Sequence, residues 1–210
     1  MAGRSTNPFI RQVYFWWLIA PILTSIILPA VMPAGSFKVQ SEEQAFLVEC
    51  GRDVGAVTQT ATSVFTSWFI NTGFVDDTMD PSRHAMNSQR TGYAWMGGIF
   101  HGWFQRFWLF VYRIVWRWVA FWELYVVCIL GIAGPCLVDG LIVRAKKRYR
   151  FGQYNPLAFN VSGTLFALAV GWMFYVPMLP LPLTALFMGG FFCVFALFAW
   201  FTSANFQRGA

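Results

Sequence analysis

Apolar residues in this chain gather into four long runs, about Tyr14–Pro33, Val119–Val143, Leu157–Pro177 and Leu183–Ser203, separated by polar stretches of unequal length. Each run reaches the roughly 20 residues that a helix rising 1.5 Å per residue needs to cross a hydrocarbon core about 30 Å thick. One such helix could be buried in a soluble domain, but four in 210 residues are hard to cover. The pattern therefore predicts an all-α membrane protein with about four transmembrane helices. Residues 1–33 form the amino-terminal segment and first span, 34–118 an external helical region and 119–143 the second span. A basic loop, 144–156, then leads to a hairpin of two spans, 157–203, and a short tail, 204–210.

Finer periodicity fills in this plan. Leu47, Cys50, Val54, Val57, Ala61, Val64 and Trp68 recur at spacings of three and four, predicting an amphipathic external helix of about 25 to 30 residues. Its stripe either packs on the protein's own membrane-proximal surface or pairs with a partner helix. Between Trp95 and Trp118 the tryptophans Trp103, Trp108 and Trp116 interleave with Arg106, Arg113 and Arg117, and the three arginines share one helical face. Such a helix suits the headgroup layer, with arginines snorkelling and indoles in the interfacial belt. Pro21 and Pro29 imply a bent first span. Asn155-Pro156 reads as a cap opening the third span, in which Gly163, Ala167 and Gly171 form a small-residue seam for helix contact. The short, proline-rich segment 176–182 makes the last two spans an antiparallel hairpin.

Composition agrees with lipid as the solvent: 57% of residues are hydrophobic, 20% aromatic and 11% charged, against roughly a quarter charged in soluble domains. The formal charge of +6 matters less than its placement. Arg144, Lys146, Lys147, Arg148 and Arg150 form one basic cluster, while seven of the nine acids lie between Glu42 and Asp80. The positive-inside rule puts the cluster in the cytoplasm, and both termini, with Arg4, Arg11 and Arg208, on the same side. The chain is expected in a bacterial inner membrane, multi-pass, with residues 34–118 facing the periplasm. The first apolar run is too long for a cleaved signal peptide and no A-x-A site comes after it, so it reads as a retained anchor. Only Cys50 is external, and Cys128, Cys136 and Cys193 sit in spans, so no disulfide framework is read.

Little of this sequence suits catalysis. His84 and His101 are far apart, and no metal-ligand, nucleophile-elbow or phosphate-loop motif occurs. The expectation is a non-enzymatic protein without cofactor or metal. Glu123 and Asp139 are the only acids within a span, and intramembrane acids are functional candidates. Sixteen residues of helix put them about 24 Å apart, near opposite membrane faces. There Glu123 could pair with Arg117 or Arg113, and Asp139 with the basic cluster. That cluster itself suits anionic lipid headgroups, or an acidic patch on a cytoplasmic protein. Direct nucleic-acid binding is the weakest reading, because no folded module accompanies it.

Two stretches carry a family resemblance. Leu137-Val138-Asp139-Gly140-Leu141-Ile142-Val143-Arg144, with Lys147-Arg148-Tyr149 after it, resembles the Asp-Gly motif that closes a span in the integrating conjugative element membrane proteins, which are TraJ-like small inner-membrane proteins encoded beside coupling proteins. Phe65-Thr-Ser-Trp68-Phe69-Ile70-Asn71-Thr72-Gly73-Phe74 is similar to that family's external aromatic run. Asp76-Asp77-Thr-Met-Asp80-Pro81 and Gly97-Gly98 depart from the family pattern. The resemblance implies an accessory of DNA transfer through a type IV secretion system, holding or positioning the coupling ATPase. In that reading Asp139, Gly140 and the basic cluster contact lipid or partner. Its partners would be the bilayer, other membrane subunits including the coupling ATPase, and other copies of itself. Two other functions stay open: a small ion channel or transporter using Glu123 or Asp139, and an exclusion factor acting in the recipient cell.

Overall fold

The computed structural model describes residues 15–79, 94–149 and 156–205, and every regular element among them is helical. In chain order these are α1 (Ala20–Val31) after a π-helical turn at Phe15–Ile19, α2 (Ser41–Glu49), α3 (Val54–Phe65) with a π turn at Thr66–Ile70, and α4 (Phe74–Met79). The long α5 (Ala94–Cys128) comes next, then a π turn at Ile129–Ala133, α6 (Gly134–Tyr149), α7 (Pro156–Tyr175) and α8 (Ala185–Asn205). Arg4, Arg11, His84, Arg150, Asn155 and Arg208 lie outside the described residues, as do the side chains of Trp95, Lys147 and Arg148 and the burial of Gly97 and Gly98.

The expected external helix is two helices. After Cys50, Gly51 adopts φ +76°, its N–H bonds to the Val48 carbonyl and the Arg52 N–H reaches back to Leu47. That is a Schellman stop, which only glycine enters without steric cost. Asp53 then caps α3 by accepting from the Gly55 N–H at 2.8 Å. The heptad seam is thus cut between Cys50 and Val54. Leu47, Val57 and Ala61 are buried, whereas Cys50 and Trp68 are exposed. Phe46 stacks on Phe121, and Thr58 and Thr62 bond to Trp116 and Tyr112, so the stripe packs on this chain's own α5.

No helix boundary separates the expected interfacial helix from the second span. α5 runs unbroken through residue 119, and the π turn and α6 carry the helical course on to Tyr149. The cause of the π turn is local. Pro135 has no N–H to give the Gly131 carbonyl and its ring would strike it, so the ladder widens and the Gly134 N–H bonds five residues back to Ile129. Among the described residues, two helical runs are long and apolar enough to cross a membrane, His101–Lys146 and Ala185–Asn205. Two shorter apolar helices cover Trp17–Val31 and Gly163–Met178.

The described helices fall into two units. One takes in Met1–Pro21, Trp122–Val176 and Leu183–Ala210, and the other Ile22–Phe121 with Pro177–Pro182. In the first, Ala133, Ala169 and Phe195 form a buried core flanked by Phe166, Val170, Met173 and Phe198. The expected seam on α7 is only partly used. A side chain at Gly163 would meet nothing within 4 Å, the Ala167 carbonyl accepts from the Trp17 indole at 3.2 Å, and Gly171 is buried. In the second unit, Phe37, Leu47, Val57, Phe110, Trp116 and Phe121 are among the buried side chains.

Candidate functional site

Within the first unit, the Asp-Gly motif of α6 is where that helix meets α8. Gly140 is buried so closely that an added Cβ would stand 1.9 Å from Ser203 Oγ and 2.8 Å from the Trp200 carbonyl. Only glycine permits that approach, as at other close-packed apolar helix pairs. One residue earlier, Asp139 accepts the Trp200 indole N–H at 2.8 Å. Asp139 and Gly140, expected to contact lipid or a partner, therefore serve as an intramolecular clamp holding α6 on α8.

The clamp also fixes the start of the basic run. The expected basic loop is helical as far as Tyr149, so Arg144 and Lys146 stand one to two turns beyond Gly140 on the same clamped helix. Lys146 is exposed and Arg144 half-buried. The cations are thereby presented from a fixed helix, with less chain entropy left to lose on docking than a loop would have.

In the second unit the arginines of α5 do not snorkel. Arg113 and Arg117 are 1% and 0% exposed, and both ion-pair with Glu43, itself 0% exposed. Arg113 Nη2 lies 2.8 Å from Glu43 Oε1, and Arg117 binds both carboxylate oxygens. Glu43 sits in the first turn of α2, where the helix dipole also favours a carboxylate.

Backbone carbonyls accept further hydrogen bonds from both guanidinium groups. Arg117 donates to Pro177, Leu179 and Leu181, and Arg113 to Ser36 and Leu181. This recipient segment contains Pro177, Pro180 and Pro182, which have no N–H to offer their neighbours, so its carbonyls need outside donors. Away from water an unmet carbonyl costs several kcal/mol, roughly. Farther up the same face, Arg106 reaches the Met32 carbonyl at 3.4 Å and the Trp103 indole the Ile26 carbonyl at 3.2 Å. Trp116 is buried and bonded to Thr58, and Trp108 donates to Thr78 at 2.8 Å. Arg113, Arg117 and Trp116, expected at the membrane interface, are buried instead: this stripe is the inward face of α5, and its donors collect carbonyls from α1, from short 3-10 turns and from the proline-rich segment 177–182.

Sequence spacing does not identify Glu43 as the partner, because it lies in a separate helix, α2, while Glu123 stands nearer along the chain. A signal is present nonetheless. Trp103, Arg106, Phe110, Arg113 and Arg117 repeat at three and four, so the arginines lie on the same face as Phe110, which is 1% exposed. Glu123 and Asp139 are both exposed, Asp139 bonded to Trp200, and they are not brought together. Cys50, exposed just after α2, has its thiol pKa raised by partial burial and by Glu49, with Arg52 opposing.

Comparison with known proteins gives one match over most of the chain. The model of the DtrJ-like family, described as IncC plasmid conjugative DNA transfer protein DtrJ-like, matches residues 30–207, including Glu43, both buried arginines and the Asp-Gly clamp. No curated protein and no solved structure matches. The link to conjugation implied by the Asp-Gly and aromatic motifs thus holds, with DtrJ-like as the family matched. The chain belongs to the DtrJ-like family of IncC plasmid conjugative DNA transfer proteins and takes part in plasmid conjugative DNA transfer.

Proposed function

We propose that this chain is a non-enzymatic inner-membrane scaffold of the type IV secretion apparatus for conjugation, and that the basic end of α6 docks the coupling ATPase on the cytoplasmic side. The observation that carries the reading is the clamp at Gly140 and Asp139, which fixes the helix bearing Arg144 and Lys146 against α8. A fixed row of cations suits an acidic protein surface, because charge complementarity steers encounter and sets register.

Membrane insertion is supported by how little the apolar helices bury. Only 11% of the most apolar window of His101–Lys146 and 28% of that of Ala185–Asn205 is buried, although a core helix of a soluble domain would be mostly covered. Leu186, Leu197, Val127 and Leu130 are between 56% and 89% exposed, a surface that water penalises and lipid tails accept. Between α7 and α8 an apolar groove of about 670 Å³, lined by residues such as Trp172 and Phe191, fits the same solvent. With the shorter helices Trp17–Val31 and Gly163–Met178 as further crossings, the chain spans the bilayer about four times, as its sequence pattern and its TraJ-like resemblance imply.

The test is co-purification in mild detergent from donor cells. The coupling ATPase should accompany the wild-type chain and be lost with Arg144→Glu and Lys146→Glu together, while the amount of chain in the membrane stays unchanged. An ATPase that binds equally well to the charge-reversed chain would refute the docking role.

A further inference from the structure

A separate surface lies in the second unit, at the tip formed by the π turn Thr66–Ile70, the turn at Gly73 and α4. This tip is held from within by one indole. Phe65 and Phe69 pack on Trp108 at ring separations of 6.1 and 5.5 Å, and Trp108 donates to Thr78 at 2.8 Å. Gly73 makes the reversal at φ +79°. Outward, the tip shows Trp68, Ile70 and Phe74, which are 64%, 40% and 63% exposed. Beside them Asp76 and Asp77 are exposed, and no lysine or arginine occurs from Asp53 to Ser82.

The geometry points to this tip as a docking surface for a segment of a partner protein that carries lysine or arginine next to apolar side chains. Exposed aromatics on a fixed turn supply anchors of the kind that dominate binding energy, and their ring faces accept cations. The exposed carboxylate of Asp76 beside them complements a basic partner and repels an acidic one. A lipid surface fits less well. Segments that lie on membranes pair their apolar side chains with lysine and arginine, because anionic headgroups attract them, and here the sign is reversed. The surface is independent of the docking assigned to α6.

Site-specific photo-crosslinking in donor cells carrying the whole transfer system tests this, using the full chain with p-benzoylphenylalanine in place of Trp68, of Phe74, or of the exposed Gln59 as a control. Yields are normalised to the chain present in the membrane fraction. Positions 68 and 74, but not 59, should give an adduct with a different polypeptide, whose crosslinked peptide, identified by mass spectrometry, contains lysine or arginine. Asp76→Lys with Asp77→Lys should lower that yield about tenfold, the equivalent of losing roughly 1.4 kcal/mol of binding. Charge reversal at Arg144 and Lys146 should leave it unchanged. An adduct with phospholipid, with a second copy of this chain or with a segment lacking basic residues would overturn the proposal. So would equal yield from position 59, no adduct, or a yield indifferent to reversal at Asp76 and Asp77.

Discussion

Replacing Glu43 by alanine removes the buried carboxylate that Arg113 and Arg117 share. Breaking a buried pair from one side typically costs about 3–5 kcal/mol, so the Glu43→Ala chain should unfold at markedly lower denaturant or temperature and fall in steady-state amount. Restoration of wild-type stability by Arg117→Met alone would count against the shared role assigned to Glu43, because Arg113 would still lack its partner. Gly140→Ala forces a methyl into Ser203 and the Trp200 carbonyl, and overpacking of this kind costs roughly 1–3 kcal/mol. Adding Ser203→Gly should recover part of that loss but not all, since the Trp200 carbonyl is backbone. Thermal unfolding in detergent reads both variants. These residues differ in how legible they are. Gly140 stands out in sequence as a glycine beside an acid in an apolar run, yet nothing in the sequence says that Ser203 faces it. The arginine pair shows its face through spacing, but its carboxylate lies 70 residues away, a distance that local pattern does not bridge.

Helix existence is readable wherever an apolar period persists, and helix ends are readable only through capping chemistry. Gly51 and Asp53 carry a stop and a start signal between Cys50 and Val54, and a seam counted at threes and fours runs straight across them. Gly51→Ala should destabilise by about 1 kcal/mol or more, because alanine at φ +76° is strained; equal stability in chemical denaturation would contradict the Schellman stop. At the other end of the chain, charge alone suggests a loop after residue 143, but lysine and arginine are good helix formers and no breaker occurs until Gly152. Ala145→Pro tests whether that helix matters. A proline in its interior costs about 3 kcal/mol locally, and recovery of the coupling ATPase should drop several-fold while Ala145→Leu behaves as wild type.

At the scale of the whole molecule, length and charge asymmetry in the sequence predict which segments would face lipid and which water, and His101–Lys146 and Ala185–Asn205 are long and apolar enough to cross a membrane. The sequence does not distinguish a lipid-facing arginine stripe from one that collects carbonyls, because both have the same period. The proposed membrane reading puts residues 34–118 and the basic segment 144–156 on opposite sides of a bilayer. The most direct measurement is cysteine labelling with a membrane-impermeant maleimide. It uses two single-cysteine chains, one retaining Cys50 and one with Lys146→Cys and the native cysteines replaced by alanine. Partial burial and Glu49 push the Cys50 thiol pKa up, so its labelling rate should rise with pH. At one pH for both chains, Cys50 should label in intact spheroplasts and the cysteine at position 146 only after lysis. Labelling of position 146 from outside intact spheroplasts, or recovery of the chain in the soluble fraction, would contradict the account.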